Sequence, residues 1–188
     1  SIARLLALGL LVAVSPLRAE DAPPAAARFG PDPLKKSCKK GVAADCYALA
    51  NRYLKGDEVK QETSKGADFL DKACEYQLAQ ACLDLARLRR SGEGVDKDVQ
   101  KAVALLDRAC AGGIAEGCLE VGLLFREGKE VALDLVRASA SLDKGCTAGQ
   151  GRACATLAPL YEEGRGVPQD AARATSLWEK ACVSGDGD

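Results

Sequence analysis

The chain contains no histidine and no methionine, and only one tryptophan, three phenylalanines and four tyrosines in 188 residues. Without histidine there can be no Ser-His-Asp triad, no Cys-His nucleophile and no histidine-ligated zinc. With methionine missing as well, the common axial ligands of haem are lacking. Aromatics make up 4% of the chain, and alanine, leucine and valine dominate instead, which suits close helix packing better than a β-sandwich. A surplus of either charge is also missing. Against 26 basic residues stand 27 acidic ones, so the net charge of −1 offers no footprint for nucleic acid or an anionic membrane surface. One local exception, Lys35, Lys36, Lys39 and Lys40, reads as a solvated end cap. No C-x-x-C chelate occurs, so neither a metal nor another cofactor is expected.

Long apolar stretches are scarce too, apart from the first segment. Arg4 precedes a run of apolar residues from Leu5 to Val14, and small residues follow at Ser15 and Ala19. This is the shape of a secretory signal peptide over residues 1–19, too short for a comfortable membrane span. No stable membrane insertion is expected once it is cleaved. Residues 20–37 carry four prolines and no helical stripe, and read as a Pro/Ala-rich linker.

What the chain does have is a ruler of nine cysteines. They stand at 38, 46, 74, 82, 110, 118, 146, 154 and 182, with gaps alternating between 8 and 28, so the pattern repeats every 36 residues. A fixed period of this length marks stacked repeats, each too small to bury its apolar face alone. The units are 38–73, 74–109, 110–145 and 146–181, with a fifth opening at Cys182.

Other columns keep the same period. Leu49, Leu85, Val121 and Leu157 are followed by Ala50, Ala86, Gly122 and Ala158, then three residues on by Tyr53, Arg89, Phe125 and Tyr161. With the second cysteine these fall at i, i+3, i+4 and i+7, one face of an α-helix. Gly56, Gly92, Gly128 and Gly164 then supply a left-handed helix stop. Asp98, Asp134 and Asp170 suit the start of a second helix. That helix carries Ala102, Ala138 and Ala174, and four residues later Leu106, Leu142 and Trp178, with Leu70 in the first unit. The spacing predicts helix A near 42–54, 78–90, 114–126 and 150–162, and helix B near 62–75, 98–111, 134–147 and 170–183. Pro159 is expected to bend the fourth helix A without abolishing it. Ser141 departs from a column otherwise filled by Phe69, Leu105 and Leu177.

The run from Leu157 through Gly164, Gly166 and Val167 to Asp170, followed by Ala174, Trp178 and Ala181, resembles the Sel1-like repeat, a relative of the tetratricopeptide repeat. The cysteine spacing is similar to that of the bacterial cysteine-rich Sel1-like proteins. The resemblance spans 38–188 and implies an all-α solenoid of αα-hairpins wound into a right-handed superhelix.

The pairing of the cysteines rests on locality and repetition, since eight cysteines formally allow on the order of a hundred connectivities. The first of each pair ends a helix B and the second lies inside the next helix A, across a tight turn. Such positions can face one another at the ~5.5 Å between Cα atoms that a disulfide needs. Expected bonds are Cys38–Cys46, Cys74–Cys82, Cys110–Cys118 and Cys146–Cys154. Cys182 is left unpaired, as a free thiol or as the opening of a further repeat.

Two classes of function remain. The resemblance places helix A on a concave face. With structural positions removed, Tyr47, Asn51, Gln80, Arg87, Arg90, Glu116, Arg126 and Arg152 line a groove for a protein or peptide partner of a monomeric scaffold. The resemblance also implies penicillin binding or β-lactamase activity. Ser37 with Lys40 and Ser141 with Lys144 match the S-x-x-K string, but the companion S-D-N and K-T-G motifs are missing. A scaffold is therefore the favoured expectation. Leader and cysteines point to the periplasm or secretion, with the mitochondrial intermembrane space as the second choice.

Overall fold

The structure, a computed structural model, describes residues 33–184. The leader, most of the expected linker and the last four residues lie outside that span. The described residues form helices and turns with no strand. A six-residue helix, α1 (Pro33–Cys38), is followed by eight helices of 13 residues each: α2 (Ala43–Lys55), α3 (Thr63–Glu75), α4 (Ala79–Ser91), α5 (Val99–Ala111), α6 (Ala115–Glu127), α7 (Leu135–Thr147), α8 (Gly151–Glu163) and α9 (Ala171–Val183). Even-numbered helices from α2 to α8 are the helices A, and α3, α5, α7 and α9 are the helices B. Each packs on the helix before and the helix after it, with like helices also touching at α5–α7 and α6–α8. This is the solenoid of hairpins that the cysteine period implied. Residues 33–37 differ from the expectation of a linker. Together with Cys38 they form α1, which stands where the end of a helix B stands in later units.

The local causes repeat as faithfully as the helices. Every helix A ends on a glycine with φ between 64° and 79°, whose N–H bonds back to the carbonyl four residues earlier. The loop then returns, and the first N–H of the next segment bonds to helix A again: Asp98 to the Arg89 carbonyl at 2.8 Å, Asp134 to Phe125 and Asp170 to Tyr161 at 2.9 Å. Those three aspartates cap helix B, each carboxylate accepting the backbone N–H three residues on at 2.9 Å. Hydrogen bonding from the Lys101 N–H holds the Asp98 carboxyl below the usual aspartate range. The first unit has Glu62 in this position and makes no side-chain cap.

The core is built from leucine, alanine and cystine. Leu49, Leu70, Leu83, Leu85, Leu106, Leu142 and Leu157 are almost wholly buried. The small column does what its size suggests, because a Cβ added at Gly122 would stand 2.5 Å from Leu142. Helix α8 runs through Pro159 without interruption, so the fourth helix A is present, as expected. Trp178 keeps 37% of its surface exposed, and its ring N–H donates to Glu162 at 3.0 Å.

All four expected disulfides are formed, at the junction between each helix B and the next helix A, with Cα atoms 4.6–4.8 Å apart. Closing a loop of this size removes unfolded-state entropy worth about 2.5 kcal/mol per bond. Cys182, near the end of α9, is exposed and unpaired among the described residues.

The tight B-to-A turn needs a left-handed residue, supplied by Gly41, Gly113 and Gly149 at φ 87° to 91° and by Gln77 at φ 67°. A left-handed side-chain-bearing residue costs about 1–2 kcal/mol, offset in part by the greater unfolded-state freedom of glycine. Gln77→Gly is therefore expected to stabilise the oxidised protein by about 0.5–1 kcal/mol, read as a higher urea midpoint at unchanged m. A lower midpoint would show that the Gln77 side chain contributes more than its backbone costs.

Candidate functional site

The expected groove residues all lie on helices A, and four of the eight, Tyr47, Arg87, Arg90 and Glu116, are engaged with neighbouring units. Between units one and two, the Tyr47 hydroxyl donates to Asp84 at 2.7 Å, and Gln80 donates to the other oxygen of that carboxylate at 3.1 Å. Burial and then the Asp84 carboxylate push the Tyr47 phenol above its ordinary pKa, while a hydrogen bond with Asn51 pulls the other way.

Between units two and three the contacts are ionic. Arg87 on α4 reaches Glu116 and Glu120 on α6, each at 2.6 Å, and Arg90 reaches Glu130 in the following loop at 2.9 Å. The two glutamates hold the Arg87 guanidinium charge against its partial burial, and its pKa rises. Arg126 and Arg152 make no side-chain hydrogen bond or ion pair among the described residues. Arg126 is half-buried and Arg152 exposed. Of the eight expected residues, then, Tyr47 and Gln80 meet at Asp84 with Asn51 beside Tyr47, Arg87 meets Glu116, Arg90 meets a loop, and Arg126 and Arg152 stand apart.

Sequence reasoning missed the acceptors that organise this face. Asp84 and Glu120 occupy one column, four residues after Gln80 and Glu116, where the other units have Ala48 and Thr156. The i, i+4 spacing from residues already assigned to the face was the available signal.

The opposite face repeats a different device. Arg137 and Arg173, on α7 and α9, pair with Asp107 and Asp143 of the preceding helix B. Each guanidinium also lies over an aromatic ring of its own hairpin, Phe125 at 4.2 Å and Tyr161 at 5.0 Å. Lys65 over Tyr53 at 5.7 Å is the equivalent in the first unit. Arg108 donates to the Cys74 carbonyl at 2.7 Å, tying α5 to the end of α3 beside a disulfide.

The two S-x-x-K serines take no part in this arrangement. Ser37 sits on α1 and Ser141 on α7, each half-buried, and neither hydroxyl bonds to its lysine among the described residues. A shallow depression of about 130 Å³ between α7 and α9 is lined by Asp143, Thr147, Arg173 and Lys180, and neither serine borders it. The four lysines at 35, 36, 39 and 40 are exposed, as an end cap requires. Among the described residues no group of histidine, cysteine, aspartate or glutamate is arranged to hold a metal ion.

Because Arg87 and Glu120 are 42% and 17% exposed, their pairing is worth less than a buried bridge. A double-mutant cycle with Arg87→Ala and Glu120→Ala is expected to give a coupling of about 0.5–1 kcal/mol that shrinks in high salt. A coupling of zero at low salt would mean that the pair does not lock units two and three.

A model of the Sel1 repeat matches residues 43–75, 79–114 and 151–186. Solved structures agree. The Sel1 repeat protein of Oxalobacter formigenes is 28% identical with a TM-score of 0.70, over 81% of this chain and 62% of its own. A protective antigen with an SLR fold from uropathogenic Escherichia coli is 27% identical with a TM-score of 0.73, over 81% of this chain and 33% of its own. Cysteine rich protein B of Helicobacter pylori is 31% identical with a TM-score of 0.52, over 69% of this chain and 93% of its own. The chain thus spans less than two thirds of the first two proteins. A search of curated proteins found no match. The third unit falls outside the matched segments, and it is the one with Gly122, Glu130 and Ser141 in columns that otherwise hold alanine, mostly glycine, and an apolar side chain. With the repeat matched over more than half of its length, the chain belongs to the Sel1 repeat family.

Proposed function

We propose that the protein is an exported, disulfide-stapled scaffold that binds a protein or peptide partner through a concave face formed by α2, α4, α6 and α8. One observation carries this reading: the exposed columns of helix A change chemistry from unit to unit on a frame that does not change. Ala44, Gln80, Glu116 and Arg152 share one column, and Asn51, Arg87, Leu123 and Pro159 share another. The outer face does the reverse, keeping cations at Lys65, Lys101, Arg137 and Arg173. A repeated frame with one individualised face suits recognition of an extended ligand along the array.

Four disulfides support an oxidising compartment outside the cytoplasm, the periplasm or the exterior. No helix among the described residues is long and apolar enough to cross a membrane. The reading assigns no catalytic role to Ser37 or Ser141.

The test is site-specific photo-crosslinking in the native compartment. A benzophenone amino acid placed at Ala48 or Thr156, on helix A, is expected to trap one discrete partner. The same group at Gln100 or Ala172, on helix B, is expected to trap none. Equal trapping from both faces, or trapping from helix B alone, would contradict the assignment.

A further inference from the structure

The contact that closes units two and three is repeated in position, but not in chemistry, between units three and four. Arg87 meets Glu116 and Glu120, which lie 29 and 33 residues ahead of it. Thirty-six residues later the same three places hold Leu123, Arg152 and Thr156. The ion pair has become a leucine beside an arginine. Arg90 meets Glu130, and thirty-six residues later those places hold Arg126 and Gly166. No carboxylate can be supplied from Gly166, because a Cβ there would stand 2.5 Å from the Leu135 backbone. At this junction Arg126 has therefore lost the acid that meets its counterpart Arg90 one unit earlier, and Arg152 stands in the place of the acid Glu116, with Leu123 in the place of Arg87.

The surrounding acids are committed elsewhere. Glu116 and Glu120 are held by Arg87, Glu127 pairs with Lys129, Glu162 accepts from Trp178, and Glu163 pairs with Arg165. Between the two arginines the floor is apolar. Leu123 and Ala155 are partly buried against the core, and Pro159 is half-buried one turn further along α8. On each helix the spacing puts arginine and apolar residue on one stripe: Leu123 with Arg126 at i, i+3, and Arg152 with Ala155 and Pro159 at i, i+3 and i+7.

We infer that the junction of units three and four is an anion-reading subsite, shaped for an extended segment with two carboxylates flanking an apolar side chain. This rests on the proposed use of the helix A face and narrows it to α6 and α8. The like-directed helices put Arg152 near the start of one and Arg126 near the end of the other. Ten positions apart in the repeat, their backbone positions differ by about 15 Å of helix rise, which long side chains shorten, as the contact of Arg87 with Glu116 across seven positions shows. An extended chain rising about 3.3 Å per residue spans the two groups in at most about five residues. Each guanidinium offers a planar fork of donors to a carboxylate, and the apolar floor receives the side chain between them.

Fluorescence anisotropy with labelled ten-residue peptides tests the subsite on the oxidised full chain. In one set, two glutamates stand three to seven positions apart around a leucine, and matched sets carry lysine or glutamine in their place. The glutamate set is expected to bind best at a separation of about three to five, and to weaken as salt rises. Arg126→Glu with Arg152→Glu is expected to lower that affinity at least about tenfold. The charge-matched pair Lys60→Glu and Lys180→Glu is expected to leave it within about twofold. Equal binding of the three sets, or no binding of any up to about 1 mM, would overturn the subsite. Photo-crosslinking from Ala48, on α2 and outside the subsite, reads the wider face independently, so a partner trapped there without acidic preference would sink this inference alone.

Discussion

One covalent constraint organises the array: α1, α3, α5 and α7 are each tied, at their ends, to the helix A of the following unit. The bond spans the shortest turn in the repeat, where only three residues separate α3 from α4, α5 from α6 and α7 from α8. A hairpin of two 13-residue helices is marginal alone, since helices this short gain most of their stability from tertiary packing. The cystines sit inside the packed junction rather than on its surface: Cys46, Cys74, Cys82 and Cys154 are at most 2% exposed. They contribute both to the core and to the restriction of the unfolded chain. With the junction fixed, the leucine and alanine columns meet in the same register at every step.

That fixed register leaves the helix A face free to differ between junctions. The first is bridged by a tyrosine on a carboxylate that a glutamine of its own helix steadies, the second by two arginines on three carboxylates, and the third has leucine beside unpaired arginines. The outer face keeps a cation in every unit: Lys65 and Lys101 pair with the acid at the start of their own helix, and Arg137 and Arg173 are braced between an aspartate behind and an aromatic ring beneath. The repeated frame and the varying helix A face are thus separate sets of columns.

Most of the frame was legible in the sequence because its determinants are local and recur. Glycine at position 56 and its equivalents, aspartate at 98, 134 and 170, and the paired cysteines each act within a few residues of their own place. The helix ends fall within one residue of their expected places. Residues 33–37 were misread because the prolines of the preceding segment masked a short helix whose only apolar anchors are Leu34 and Cys38. The face was less legible. Whether Arg87 is free or neutralised depends on what stands 29 and 33 positions ahead, a distance no local pattern reports. Once the register is known, the same offsets explain why Arg126 is unpaired where Arg90 is paired, and why Arg152, in the column of Glu116, has Leu123 in the place of Arg87.

The central claim is that the cystines act at single junctions and hold neighbouring hairpins in register, each bond serving its own interface. Hydrogen exchange read by mass spectrometry, comparing the full chain with a Cys110→Ala, Cys118→Ala variant, tests this directly. The account predicts faster exchange at the end of α5 and the start of α6, with protection retained at the Cys38–Cys46 and Cys146–Cys154 junctions. A uniform loss of protection along the array, or none at the α5–α6 junction, would contradict it.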